Sequence, residues 1–138
     1  MGKFRKLAAN MYRLNIDAEL YLAVKDEQKL ALDFNIKQLD RGEYSDGSWL
    51  PEYSDVSVEV FGKEPGPFTL EETGAFKKGF EMIGTPDAFR ITSYDTKIDK
   101  IIDQTNEDIF GLQPSNLTKF AVVVKKNLAK RIKQAIKV

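Results

Sequence analysis

The stretch from Pro114 to Val138 constrains the fold most. It contains no Gly, no acid, and no Pro after its first residue. Leu117, Ala121, Val124, Leu128, Ile132 and Ala135 recur at spacings of three and four, the signature of one helical face. Lys119, Lys125, Lys126, Lys130, Arg131, Lys133 and Lys137 fill much of the remainder. Pro114-Ser115 opens the helix, with Ser115 as the expected N-cap, because a hydroxyl can accept a free N–H of the first turn. The bases near the far end suit the negative pole of the helix dipole. The spacing therefore predicts an amphipathic, basic helix running almost to the chain end.

Upstream, residues 4–13 read as a short basic helix. Asn15 or Asp17 can cap the next helical stretch, which runs from Ile16 to about Leu39 without Pro or Gly. Ile16, Leu20 and Val24 share one face, with Ala31, Phe34 and Gln38 close to it. Leu32, Ile36 and Leu39 form a second stripe. The polar run Lys25-Asp26-Glu27-Gln28-Lys29 predicts a bend or break, and Gly42 sits where a helix stop belongs. Asp46-Gly47 signals a turn. Val56, Val58 and Val60 alternate with polar residues, as a half-buried strand does. Gly62 to Pro67, with two Gly and two Pro, must be a loop. Phe76, Phe80 and Met82 fit either a helical turn or a strand. Gly84-Thr85-Pro86-Asp87 is a turn, Phe89 to Ser93 a strand, and Thr96 to Gln104 a short helix with Ile98, Ile101 and Ile102 on one side.

The expected class is α+β: a small antiparallel sheet flanked by an N-terminal helical region and a C-terminal amphipathic helix. The 138 residues suffice for one domain. Within it, 1–14 is a basic segment that reads as an arm, 15–42 a helical region, 43–95 a turn-and-strand region, and 96–138 a helical region.

Function is bounded first by what is missing. The chain has no Cys and no His. Thiolate nucleophiles, zinc ribbons and cysteine-ligated clusters are excluded, as are Ser-His-Asp triads and His-ligated metals. No cofactor is expected, and a binding or structural role is favoured over an enzyme. The longest apolar run, Phe120 to Val124, is far too short to span a membrane. The N-terminus lacks a signal-peptide core, and Lys6 stands where a myristoylation motif needs Ser or Thr. The reading is of a soluble chain made in a cytosol.

Charge is zoned. Lys+Arg and Asp+Glu are each 21, yet residues 1–14 carry four bases and no acids, and residues 112–138 carry seven bases and no acids. The acids all lie between. Such zoning points to contacts between surfaces. The basic ends can lie against the acidic middle of the same chain, of a second copy, or against an external partner. For the C-terminal helix three readings follow: a solvated face of a core helix, a dock for an acidic subunit surface, or a contact to DNA phosphate, which needs only Lys and Arg in reach. An anionic membrane is a poorer match, since valines stand where interfacial tryptophans would. Trp49, Tyr44 and Tyr53 cluster in the middle, as either a lid on the core or an interface anchor.

Other motifs weaken on inspection. Glu72-Thr73-Gly74 is similar to the Asp-Thr-Gly of aspartic proteases, but that chemistry needs two aspartates sharing a proton; a structural turn explains it better. Asp40, Glu43 and Asp46 do not follow the calcium-loop pattern and read as a solvated acidic loop. Gly62 to Pro67 lacks the Gly-Lys-Ser/Thr of a phosphate loop. Asn116-Leu117-Thr118 fits a glycosylation pattern by chance, at a helix start.

Three segments, in order, resemble a family of small tailed-bacteriophage and prophage virion morphogenesis proteins. The first is a helix ending in Gln38-Leu39, then Gly42, Ser45-Asp46-Gly47 and Leu50-Pro51-Glu52-Tyr53-Ser54. The second is Thr69-Leu70-Glu71-Glu72-Thr73-Gly74-Ala75-Phe76-Lys77-Lys78-Gly79-Phe80, with Glu72 where many relatives carry Asp. The third is Asp108-Ile109-Phe110-Gly111-Leu112 before the terminal helix. They span about residues 30–138 and leave 1–14 unexplained. The resemblance implies a non-enzymatic head–tail connector, neck or tail-completion protein, made in the host bacterial cytoplasm and carried in the virion. It implies a ring of copies of the chain, with other neck, portal or tail proteins as neighbours. The residues expected to carry such contacts are Lys119, Lys125, Lys126, Lys130, Arg131, Lys133 and Lys137, with Trp49 and Tyr53. The alternative is an accessory or regulatory protein that binds nucleic acid or a partner through the basic helix.

Overall fold

The computed structural model describes residues 2–51, 77–85, 88–95 and 98–137. The expected strand at Val56–Val60, the loop at Gly62–Pro67, Glu72-Thr73-Gly74, Tyr53 and the start of the helix at Thr96 lie outside the described residues. Among the described residues the chain is mixed α+β and mostly helical. In order come α1 (Gly2–Arg13), α2 (Ile16–Asp26), α3 (Gln28–Asp40), β1 (Phe80–Gly84), β2 (Phe89–Ser93), α4 (Ile98–Gln104), a 3-10 turn (Glu107–Ile109) and α5 (Pro114–Ala135).

The helix boundaries follow local chemistry. Asn15 caps α2, its Oδ1 accepting from the N–H of Ala18 at 3.1 Å. The expected break falls at Glu27, the junction between α2 and α3, inside the polar run. There the amide of Asn127 on α5 donates to the Ala23 carbonyl, Asp26 and Glu27, holding the bend. α3 ends at Arg41, and Gly42 follows with φ of 77°. The start of α5 differs from expectation: Ser115 is not the cap. Gln113 is, without a side-chain cap bond, and Pro114 occupies the first turn. Proline's fixed φ suits that position, and its missing N–H lowers the need for a capping oxygen.

α2 and α3 run antiparallel along α5. Glu19 and Asp26 of α2 meet Arg131, and Gln38 of α3 meets Asn116. Two apolar clusters form, and α3 feeds both. On one side Leu39, Tyr44, Leu50, Phe80, Ile101 and Ile109 are buried, with Leu32 and Ile36 packed against them. This is the second stripe expected from the sequence. On the other side Ala23, Ala31, Phe120 and Val124 are buried, with Val24 and Phe34 against them. The first stripe is thus used only in part: Ile16 and Leu20 stay exposed, and Ala23 takes the buried place on α2.

The sheet is one antiparallel pair, with Phe80 opposite Ser93 and Gly84 opposite Phe89. Phe80 and Met82 lie in strand β1, which settles for them the open choice between helical turn and strand, while Phe76 lies outside the described residues. Its ring tilts against Phe110 at 5.3 Å, which ties the sheet to the segment before α5. At the hairpin end Tyr21 of α2 stacks on Phe89 at 5.2 Å. Gly84 lies beneath that pair. A Cβ there would stand 2.7 Å from Tyr21 Cε2 and 2.8 Å from Phe89 Cε1, closer than carbon atoms pack.

Candidate interaction surface

The seat of α5 is built from side-chain amides rather than from oil alone. Asn35 and Gln38 of α3 are both 0% exposed. Asn35 Nδ2 donates to the Ile109 carbonyl at 2.8 Å, and its Oδ1 accepts from Gly111 N–H at 2.9 Å. Gln38 Nε2 donates to the Gly111 carbonyl at 2.9 Å. Its Oε1 accepts from Gln113 N–H and from Asn116 Nδ2, each at 2.8 Å. Two amides therefore clamp the backbone of residues 109–113, and among the described residues no buried side-chain N or O lacks a partner. Gly111 has φ of +121°, which L side chains rarely adopt, and a Cβ there would lie 3.3 Å from Ser45 Cβ. The helix end at Gln38-Leu39 and the segment from Asp108 to Leu112 thus meet at this clamp.

The clamp sets the rotation of α5 and corrects the expected stripe. The buried positions are Asn116, Phe120 and Val124, not Leu117 and Ala121. Leu117 is 54% exposed, and Ala121 and Ala135 are also exposed. The expected face holds from Val124 onward, where Val124 is buried and Leu128 packs against the core, and is one residue late only in the first two turns, where Asn116 and Phe120 take the places expected of Leu117 and Ala121. The Asn116 sequence pattern is explained by the same observation: its side chain is a core hydrogen-bond donor.

The basic residues of α5 divide into two sets. Arg131 points inward. Its Nε lies 2.8 Å from Glu19 Oε2 and its Nη1 3.0 Å from Asp26 Oδ2, so it ties α5 to α2. The lysines point out. Lys119, Lys126, Lys130 and Lys133 are exposed and fall along one stripe at spacings of seven, four and three, with Lys137 just past the helix end. The stripe from Lys119 to Lys133 is about 21 Å long at 1.5 Å per residue. Lys125 lies off it, on the other exposed edge. Among the described residues none of these six lysines has a carboxylate within salt-bridge distance.

The aromatic cluster separates. Tyr44 and Leu50 are buried in the core, whereas Trp49 is 67% exposed. A tight loop does this: Tyr44 N–H donates to the Ser48 carbonyl at 2.8 Å, Leu50 N–H to the Gly42 carbonyl at 2.7 Å, and Glu43 bridges to Trp49. Neighbours on alternate sides of this extended pair face core and solvent in turn. Burial raises the Tyr44 phenol above its ordinary value, helped by the negative charges of Asp108 and Asp46.

The acidic loop is spoken for residue by residue. Asp40 pairs with Lys77. Glu43 accepts from Arg41 Nε at 2.7 Å, and that bond holds its carboxyl below the usual value. Asp46 accepts from the hydroxyl and the N–H of Ser48, which lowers it likewise. Among the described residues no group of three or more acids could hold a metal ion, and no helix is long and apolar enough to cross a membrane.

No protein family, curated protein or solved structure matches this chain in comparison.

Proposed function

We propose that this chain is a structural virion protein of a tailed phage, assembling as a ring of copies at the head–tail junction. The observation that carries the reading is the division of charge on α5. Arg131 is consumed within the chain, while a stripe of lysines is presented outward without an internal carboxylate among the described residues. Exposed acids of the same chain, Asp17 and Asp33 among them, offer a complementary surface on a neighbouring copy. The resemblance in the segments around Gln38-Leu39, Thr73-Gly74 and Asp108 to Leu112 points to the neck of the particle. Deleting the gene from the phage tests this. The expected result is DNA-filled heads and separate tails by electron microscopy. Intact infectious particles without the chain would contradict it.

The lysine stripe also favours a second reading, an accessory protein that grips a nucleic-acid backbone. A phosphate binder loses affinity steeply as salt rises. A ring subunit need not bind free duplex DNA at all, so a salt titration of DNA binding separates the two.

A further inference from the structure

α1 is an amphipathic helix that contributes no residue to either apolar cluster among the described residues. Phe4, Leu7, Ala8 and Met11 share one face, while Lys3, Lys6 and Arg13 share the other. None of its residues is buried; Phe4 is 70% and Met11 56% exposed. Its one side-chain tether to a distant element among the described residues is Asn10 Nδ2, 3.1 Å from the Lys137 carbonyl. That fixes α1 at the C-terminal end of α5.

At the opposite end of α5 lies a groove of about 610 Å³. Ile91, Ile98, Ile102, Leu112, Leu117 and Phe120 line it, with Arg90 on one wall and Glu107 on another. Its α4 side is acidic. Asp99 and Asp103 are exposed on α4, and Glu107 and Asp108 on the turn that follows. The twenty residues from Leu117 to Lys137 put about 30 Å between groove and tether, and Asn10 to Phe4 spans only about 9 Å. α1 therefore cannot reach the groove of its own chain.

We infer that α1 is a docking arm whose apolar face seats in the groove of the next copy of this chain, with its lysines and arginines against the acidic rim. The inference rests on the ring reading above and names its contact. Four bases with no acid in residues 1–14 meet a stretch, residues 99–108, that carries four exposed acids against one base, Lys100. Element and groove sit at opposite ends of the molecule, so the contact is head to tail and repeats around a ring. A 12-residue helix covers less than the roughly 800 Å² per partner of a stable pair. Closure of the ring, which gives every copy two such contacts, supplies the rest.

The chain has no cysteine, which makes cross-linking clean. Full-length protein carrying Met11→Cys and Leu117→Cys together is oxidised and run on a denaturing gel. The expected result is a ladder of covalent multimers. Each single variant alone gives none, and a mixture of the two singles stops at dimers. Phe4→Asp added to the double variant should abolish the ladder while leaving the circular dichroism spectrum and melting temperature unchanged, since Phe4 is 70% exposed. No ladder from the double variant, whether the chain is monomeric or oligomeric by native mass spectrometry, overturns the arm. Phe4-dependent binding to phosphatidylserine vesicles in place of a ladder also overturns it and assigns the face to a lipid surface. Neither failure touches the ring reading itself, which particle composition decides.

Discussion

Single side chains decide how the helices register. Gln38 satisfies three groups at once: the Gly111 carbonyl, the Gln113 N–H and the Asn116 amide. Gln38→Leu leaves all three without this partner in a site that is 0% exposed, and each costs about 1–3 kcal/mol unless water enters. We expect a loss of about 3 kcal/mol in urea denaturation; a loss below about 0.5 kcal/mol would show that the clamp is not structural. Gly84→Ala should cost about 1–3 kcal/mol, because the added methyl displaces the Tyr21–Phe89 stack. The same substitution in a Tyr21→Ala background should cost less, a coupling that a double-mutant cycle reads directly. Tyr44 gives a pH signature. Its folded pKa lies above the unfolded value of 10.0, so its contribution is complete below that value and lost as pH rises through the raised one. One tyrosine should ionise late in an alkaline absorbance titration, and Tyr44→Phe should remove that phase. At this scale the sequence was least legible. Asn35, Gln38 and Asn116 look like surface residues in any count of polarity, and only the carbonyls and N–H groups they meet across the fold explain their burial. The one available signal was Gln38, which shares a helical face with Ala31 and Phe34.

Elements were far more legible, because helical and strand periods are local. The break near Glu27, the Asn15 cap, the strand at Phe89 to Ser93 and the terminal helix all follow from spacing and end signals. The buried face of the first two turns of α5 did not, since there it depends on the amide clamp as well as on apolar residues, whereas Val124 and Leu128 fall as their spacing predicts. The two sets of bases on α5 predict different responses. Arg131→Met removes the tie from α5 to Glu19 and Asp26 and should cost about 1 kcal/mol at low salt, shrinking as salt rises. Reversing Lys126, Lys130 and Lys133 to Glu should leave the melting temperature within a few degrees, because exposed side chains away from packing contribute little. The same triple reversal should abolish assembly, read by light scattering on column-purified protein, and Lys125→Glu, off the stripe, should not. Assembly that survives the triple reversal removes the stripe from the interface.

Across the whole molecule, the features that matter most are distributed at its ends. α1 presents an exposed apolar face at one end of α5, the acid-rimmed groove opens near the other, and the lysine stripe runs between them. On the reading proposed above, such an arrangement pairs copies head to tail. The basic ends and acidic middle were visible in the sequence. The distance between arm and groove was not, since it requires knowing that α2 and α3 fold back along α5. The central claim is that the chain is a ring component of a tailed-phage particle. Quantitative mass spectrometry of purified particles from a culture expressing the chain tests it most directly. The account predicts a fixed number of copies per particle, the same between preparations and set by one closed ring. Absence from particles while the chain is abundant in the producing cells would contradict it.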